Sequence, residues 1–290
     1  MQLQLSYHPP FDWPGLLRFL TARAMQGVES VTDDSYLRTV RLANERGWIR
    51  VRHSPHEHAL TLELSPSLTR AAPALRTTLR HLFDLDARPN LIAATLARHT
   101  LLAGPVARNP GLRVPGAFDG FELAIRAILG QQITVKAATT LAGRFALAFG
   151  EPVSDAAHPA LTHLSPTPQR IAATAPDELS AIGITRSRAR SIIALAQEVA
   201  AGRLTLEAGA PPDPTIAQLV ALPGIGAWTA HYIAMRALRW TDAFPKEDIA
   251  LRNSLGGVSA ARAEALSQPW RPWRAYATLH LWQDRVRGAA

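Results

Sequence analysis

Two packed units are expected: an α+β N-terminal domain built on a small antiparallel sheet, then an all-α core with a glycine-turned hairpin. Three observations predict this. Through Ser65, four short runs carry strand-like apolar patterning. From about Pro89 onward the apolar spacing is helical. Within that helical part, LPGIG (residues 222–226) joins two helical runs through a tight turn. At 290 residues the chain is long enough for two or three units with their own cores.

The first domain is expected over residues 1–88. LQLSY is a short alternating strand. Asp12 can cap a helix running through Leu16 to Ala24. Trp13 and Pro14 stand at its start, where the N–H that proline lacks would have no partner anyway. YLRTVRLA, WIRVRHS and ALTLELS follow as strands, with ERG and SPHEH as turns between them, and APALRTTLRHLFDL closes the unit as a helix. A sheet packed on helices buries both apolar faces.

The second domain, residues 89–290, is expected to contain helices only. The candidates are NLIAATLAR, AFDGFELAIRAILG, TVKAATTLAGRFALAFG, PQRIAATA, RSRARSIIALAQEVAAG, TIAQLVAL, AWTAHYIAMRALRW, DIALRNSLG, SAARAEALS and WRAYATLHLWQDR. Breaks rich in proline and glycine, such as ARNPGLRVPG and THLSPTP, separate some of them. An internal echo is visible. ELSAIGITRSRARSI repeats the form of QLVALPGIGAWTAHYI, a helix end, an apolar-glycine turn and a new helix, but only the second carries G-x-G.

Composition narrows the chemistry. A net charge of +8 and a pI near 10.8 favour a polyanionic partner such as nucleic acid. The absence of cysteine excludes thiolate nucleophiles, disulfides, zinc-thiolate sites and iron–sulfur clusters. No apolar run approaches the ~20 residues that span a bilayer, and MQLQLSYHPPFDW lacks the regions of a signal peptide. A cytoplasmic, monomeric protein without metal or cofactor is expected.

In LPGIGAWTA, Pro223 fixes the turn entry, while Gly224 and Gly226 permit positive φ and close backbone approach. Backbone N–H groups at such a turn, leading directly into a helix N-terminus, suit one phosphate. Gly224, Ile225, Gly226 and Thr229 are the candidate phosphate hairpin. Trp228 and Tyr232 stand four apart and share a helix face. Such pairs ordinarily belong to a core. Asp248 opens DIALRNSLG, where a helix N-terminus favours its ionised form and where an aspartate is ordinarily only a cap. Glu247 points elsewhere and is expected to be solvated.

LPGIGAWTA followed by Asp248 resembles the helix-hairpin-helix DNA glycosylase superfamily. YHPPFDWPGLLRFLTARA, RNPGLRVPGAFDGFELAIRAILGQQIT and RPWRAYATLHLW are similar to the start, middle and end of its 3-methyladenine DNA glycosylase II (AlkA-type) branch, so the likeness covers nearly the whole chain. The resemblance implies a helix-hairpin-helix glycosylase core of two helical subdomains with the site between them. It implies release of alkylated purines, such as 3-methyladenine and 7-methylguanine, from damaged double-stranded DNA. Asp248 matches the superfamily's catalytic aspartate, a carboxylate suited to stabilising an oxocarbenium-like sugar. Phe19, Trp228, Tyr232 and Trp282 match the base pocket, where aromatic faces attract a methylated, positively charged base. That charge weakens the glycosidic bond, so little protonation of the leaving base is needed.

Family members that also cut the strand resemble one another in carrying a lysine two positions after the hairpin's second glycine. Trp228 stands there in this chain, which implies monofunctional hydrolysis. GQQIT matches the minor-groove wedge that fills the gap left by a flipped nucleotide. A well-known bacterial member has leucine where this chain has Gln132, so either Gln132 or Ile133 is the wedge. The same relative has tyrosine where this chain has Ile249. A non-catalytic helix-hairpin-helix DNA-binding protein would need the glycine turn but neither Asp248 nor the aromatic set.

Overall fold

The computed structural model describes residues 1–153 and 157–288, apart from the side chains of residues 286–288. The chain begins with β1 (Gln2–Ser6) and α1 (Trp13–Thr21), and continues through β2 (Glu29–Val31), β3 (Ser35–Leu42), β4 (Glu45–Ser54), β5 (Ala59–Leu64) and α2 (Ala72–Leu82). The strands form one antiparallel sheet in the order β1-β5-β4-β3-β2. Asp12 caps α1 as expected, its Oδ1 accepting from the Gly15 N–H at 2.9 Å. The helix stops at Thr21 rather than Ala24, because the chain turns there toward β2. β2 is three residues long, too short to show alternation in the sequence.

One face of the sheet buries Leu5, Tyr36, Ile49, Val51, Leu60 and Leu62 against Trp13, Leu16, Leu20, Leu75 and Leu79 of the two helices. β3 departs from alternation, with Ser35 through Val40 all buried. Its second face is covered too, because the helical core docks there.

That core comprises α3 (Pro89–Leu96), α4 (Thr100–Arg108), α5 (Gly120–Leu129), α6 (Val135–Phe149), a two-residue ribbon of β6 (Glu151–Pro152) and β7 (His163–Leu164), then α7 (Pro168–Ala172), α8 (Pro176–Ala181), α9 (Arg186–Ala200), α10 (Pro212–Ala221), α11 (Ala227–Arg236), α12 (Ile249–Ser254), α13 (Ala260–Ser267) and α14 (Arg274–Gly288). The ribbon corrects the expectation of helices only. α4 is not among the expected helices; its segment holds Gly104 and Pro105, which weaken a helical pattern. Pro105 sits late in the helix, where its ring removes one hydrogen bond without ending it.

The interface between sheet and helices is ionic at its centre. Arg38 on β3 is buried and donates to Glu122 of α5 at 2.8 Å. Arg126 of α5 donates to Glu29 at 2.8 Å and also contacts Glu122, and Tyr36 donates to Glu29 at 2.6 Å. Burial pushes the Glu29 carboxyl up, but Arg126 and Arg38 win and hold it at about 2.

The helices divide between two apolar clusters. One gathers α5, α6, α9 and α11 around Ile128, Phe145, Ile192 and Ile233. The other gathers α3, α4, α12 and α14 around Leu96, Leu102, Leu251 and Tyr276. Tyr232 packs against both, which places it at their seam.

Candidate active site

The hairpin lies between α10 and α11. Gly224 has φ of +74°, a conformation that favours glycine, and a Cβ there would collide with the Ser191 hydroxyl of α9. Gly226 differs from expectation. Its backbone is extended, with φ of −89° at the N-terminus of α11, and a Cβ would meet nothing within 4 Å. The N–H groups of both glycines lack acceptors among the described residues. Ile225 and Thr229 are buried, so their side chains serve the core, and only backbone faces outward here. The echoed turn between α8 and α9 also carries a left-handed glycine, Gly183 at +93°.

Asp248 begins α12 and accepts three hydrogen bonds. Its Oδ1 takes the Leu251 N–H at 2.6 Å, the ordinary capping bond, and the Trp282 indole N–H at 3.0 Å. Its Oδ2 takes the Trp228 indole N–H at 2.8 Å. A cap needs only the first of these. Two indoles, from α11 and α14, grip the carboxylate from different helices, leaving one lone pair on Oδ2. No ion pair reaches Asp248 among the described residues.

Trp228 and Tyr232 stack almost parallel, with centroids 5.4 Å apart and planes 8° apart. Tyr232 and Trp282 lie 6.5 Å apart. Two of the four expected pocket aromatics therefore hold the carboxylate directly, and Tyr232 lies against both of them. Phe19 joins them through arginines. Arg236 lies 4.9 Å from the Phe19 ring and 5.6 Å from the Tyr232 ring. Arg23 covers the Phe19 face at 3.8 Å, so a face expected to attract a cationic base already holds a cation.

The turn between α5 and α6 places Gln132 at φ of +55°, exposed, with Ile133 half-buried behind it. Left-handed backbone at a non-glycine residue is strain that surrounding structure must hold. Gln131 supplies the hold. Its amide donates to the Gly224 carbonyl at 2.9 Å and to the Thr229 hydroxyl at 3.0 Å, while Arg188 of α9 donates to its carbonyl. The turn and the hairpin are thus one unit.

Sequence reasoning missed Gln131, Arg23, Arg188 and Arg236. Arg236 had a signal, standing four after Tyr232 on the same helix face. Glu247 was expected to be solvated; it is half-buried, and its Oε2 is buried without a hydrogen-bond partner. Among the described residues, Ile249 is the most exposed large apolar side chain, at 71%, beside Asp248.

Known proteins resemble this chain over most of its length. The AlkA N-terminal domain family matches residues 2–119, and the HhH-GPD superfamily of base excision DNA repair proteins matches residues 125–269. The chain is 36% identical over 278 residues to DNA-3-methyladenine glycosylase 2 of Escherichia coli, covering 96% of this chain and 95% of that one. It is 40% identical over 286 residues to a probable bifunctional transcriptional activator/DNA repair enzyme AlkA of Mycobacterium tuberculosis, spanning 56% of that protein's length. A 3-methyladenine DNA glycosylase structure from Archaeoglobus fulgidus shares the fold, with TM-score 0.81, 19% identity and 97% coverage of both chains. A Clostridium acetobutylicum 8-oxoguanine glycosylase/lyase bound to double-stranded DNA does so at TM-score 0.70 and 14% identity, covering 91% of this chain and 99% of that one. Together the two family matches and the near-full-length relative establish that the chain belongs to the HhH-GPD superfamily of base excision DNA repair glycosylases, in the branch that carries an AlkA N-terminal domain.

Proposed function

We propose that this protein is a monofunctional glycosylase that flips a damaged nucleotide out of duplex DNA and releases alkylated purines by hydrolysis. One observation carries the reading: the Asp248 carboxylate is held by Trp228 and Trp282 at the seam of two helical cores, without a cation among the described residues. An unneutralised carboxylate in a fixed orientation suits the positive charge that develops on the sugar as the glycosidic bond breaks. The free lone pair of Oδ2 faces the sugar or the attacking water. The name of the E. coli relative, DNA-3-methyladenine glycosylase 2, supports 3-methyladenine and related bases as substrates.

The remaining roles follow. Gly224 and Gly226 hold one phosphate through their unpaired N–H groups, with Ile225 and Thr229 anchoring the turn from inside. Gln132 or Ile133 fills the gap in the duplex. Trp228, Tyr232, Trp282 and Phe19 line the base pocket. Trp228 occupies the lysine position, so no covalent imine forms. The sheet domain, residues 1–88, contributes Phe19 and braces the core of residues 89–290 through the buried ion network. One chain supplies every group, so a monomer in the cytoplasm suffices.

The test is base release from methylated duplex DNA by wild type and Asp248→Asn. Loss of at least about 100-fold in single-turnover rate is expected. Equal release by both proteins would remove Asp248 from the chemistry. Duplex binding without release of any lesion would favour a binding module instead.

A further inference from the structure

The hydrogen bond between Arg236 and Tyr232 has a fixed direction. A guanidinium only donates, so the Tyr232 oxygen accepts at 2.8 Å and its own proton must point elsewhere. No acceptor for that proton exists among the described residues. Arg236 itself is immobile, because it also donates to the Pro115 carbonyl at 2.8 Å and the Gly116 carbonyl at 2.9 Å. The phenol therefore stands at the seam of the two helical cores, one turn of α11 beyond the indole that grips Asp248, with a proton to give.

We propose that Tyr232 is a proton donor to the leaving base, required for lesions that are neutral in the nucleotide. The proposal rests on the glycosylase reading above and adds a residue to its chemistry. A cationic base such as 7-methylguanine leaves as a neutral molecule and needs no proton. A neutral base such as hypoxanthine would leave as an anion. For that base the C1′–N9 bond breaks with its electron pair going to the base, and the Tyr232 hydroxyl passes its proton to an acceptor on the base edge. Arg236 and Arg23 hold the resulting phenolate. Water then adds to C1′ and gives its proton to Asp248, which releases it to solvent, and solvent returns a proton to the phenolate.

Two further features agree. Burial raises the Tyr232 pKa, but Arg236, Arg23 and Arg126 outweigh it, so the phenol is more acidic than an ordinary tyrosine. Arg23 already occupies the face of Phe19, which weakens the pocket's preference for a cationic base and leaves room for neutral ones.

The experiment compares single-turnover release from duplexes carrying 7-methylguanine or hypoxanthine, by wild type and Tyr232→Phe. Tyr232→Phe is expected to slow hypoxanthine release by about 100-fold or more, and at least about tenfold more than it slows 7-methylguanine release, for which the residue only lines the pocket. In wild type, heavy water is expected to slow hypoxanthine release about twofold and leave 7-methylguanine unchanged, a comparison that stands even if the variant does not fold. Equal slowing of both substrates, or no slowing of hypoxanthine release, overturns the proposal. So does a wild type that releases 7-methylguanine but never hypoxanthine. Release of neither base by wild type removes the glycosylase reading itself.

Discussion

The indole nitrogen of Trp282 lies 3.0 Å from Oδ1 of Asp248, so the last helix of the chain orients the carboxylate that opens α12. Trp282→Phe keeps an aromatic ring and deletes that one bond. Hydrogen bonds to charged groups contribute about 1.5–3 kcal/mol, so the single-turnover rate should fall roughly 10- to 100-fold. Trp228→Phe should do the same through Oδ2. Thermal unfolding should show little change, because both rings stay packed. A variant that melts normally and excises at the wild-type rate would show that the indole it removes does not orient the carboxylate.

The two hairpin glycines separate stability from binding. Gly224→Ala places a side chain in left-handed backbone and against Ser191, at a cost of about 1–2 kcal/mol in urea unfolding. Gly226→Ala meets nothing in the protein, so its stability should stay within about 0.5 kcal/mol of wild type. Its affinity for duplex DNA should nonetheless fall, because the added methyl stands where a phosphate would approach. Unchanged affinity in Gly226→Ala would place the phosphate elsewhere.

Gln132 and Ile133 can be told apart by their effects on a flipped state. Gln132→Gly relieves left-handed strain, so its melting temperature should hold or rise. If Gln132 is the wedge, tight binding to abasic duplex is lost in that variant and kept in Ile133→Ala. The reverse pattern assigns the wedge to Ile133.

Acid should loosen the joint between sheet and helices. Glu29 has its pKa depressed from 4.5 to about 2, so its stabilising contribution is complete above 4.5 and disappears as pH falls through 2. Glu29→Gln leaves Arg38 and Arg126 buried with one fewer anion, and should cost about 3–5 kcal/mol at pH 7. Urea titrations of wild type and variant at pH 7 and pH 3 check both points. The difference between the two proteins should shrink at pH 3.

Borohydride should trap no covalent protein–DNA adduct. The chain has two lysines, Lys136 and Lys246. Lys246 stands two residues before Asp248 and pairs with Glu264 at 3.9 Å, while Lys136 is exposed beside the wedge turn. A trapped adduct that disappears in Lys246→Ala would mean that this lysine reaches the sugar.

Local chemistry made much of this protein legible from sequence alone. The strands β1, β4 and β5, the Asp12 cap, the left-handed turn at Gly224 and the order of most helices depend on neighbours within a few residues, and they appear as read. β2 and α4 did not, because three residues carry no period and an internal proline reads as a break even where one lost bond is tolerated. Only the tertiary structure decided what Asp248 does beyond capping a helix. Its indole partners arrive from 20 and 34 residues away, and Gln131 reaches the hairpin from 93. Periodicity cannot encode a hydrogen bond between helices; the packing of two cores against each other can. For the same reason Phe19 read as a bare aromatic face, and only the fold revealed that Arg23 and Arg236 had already claimed it.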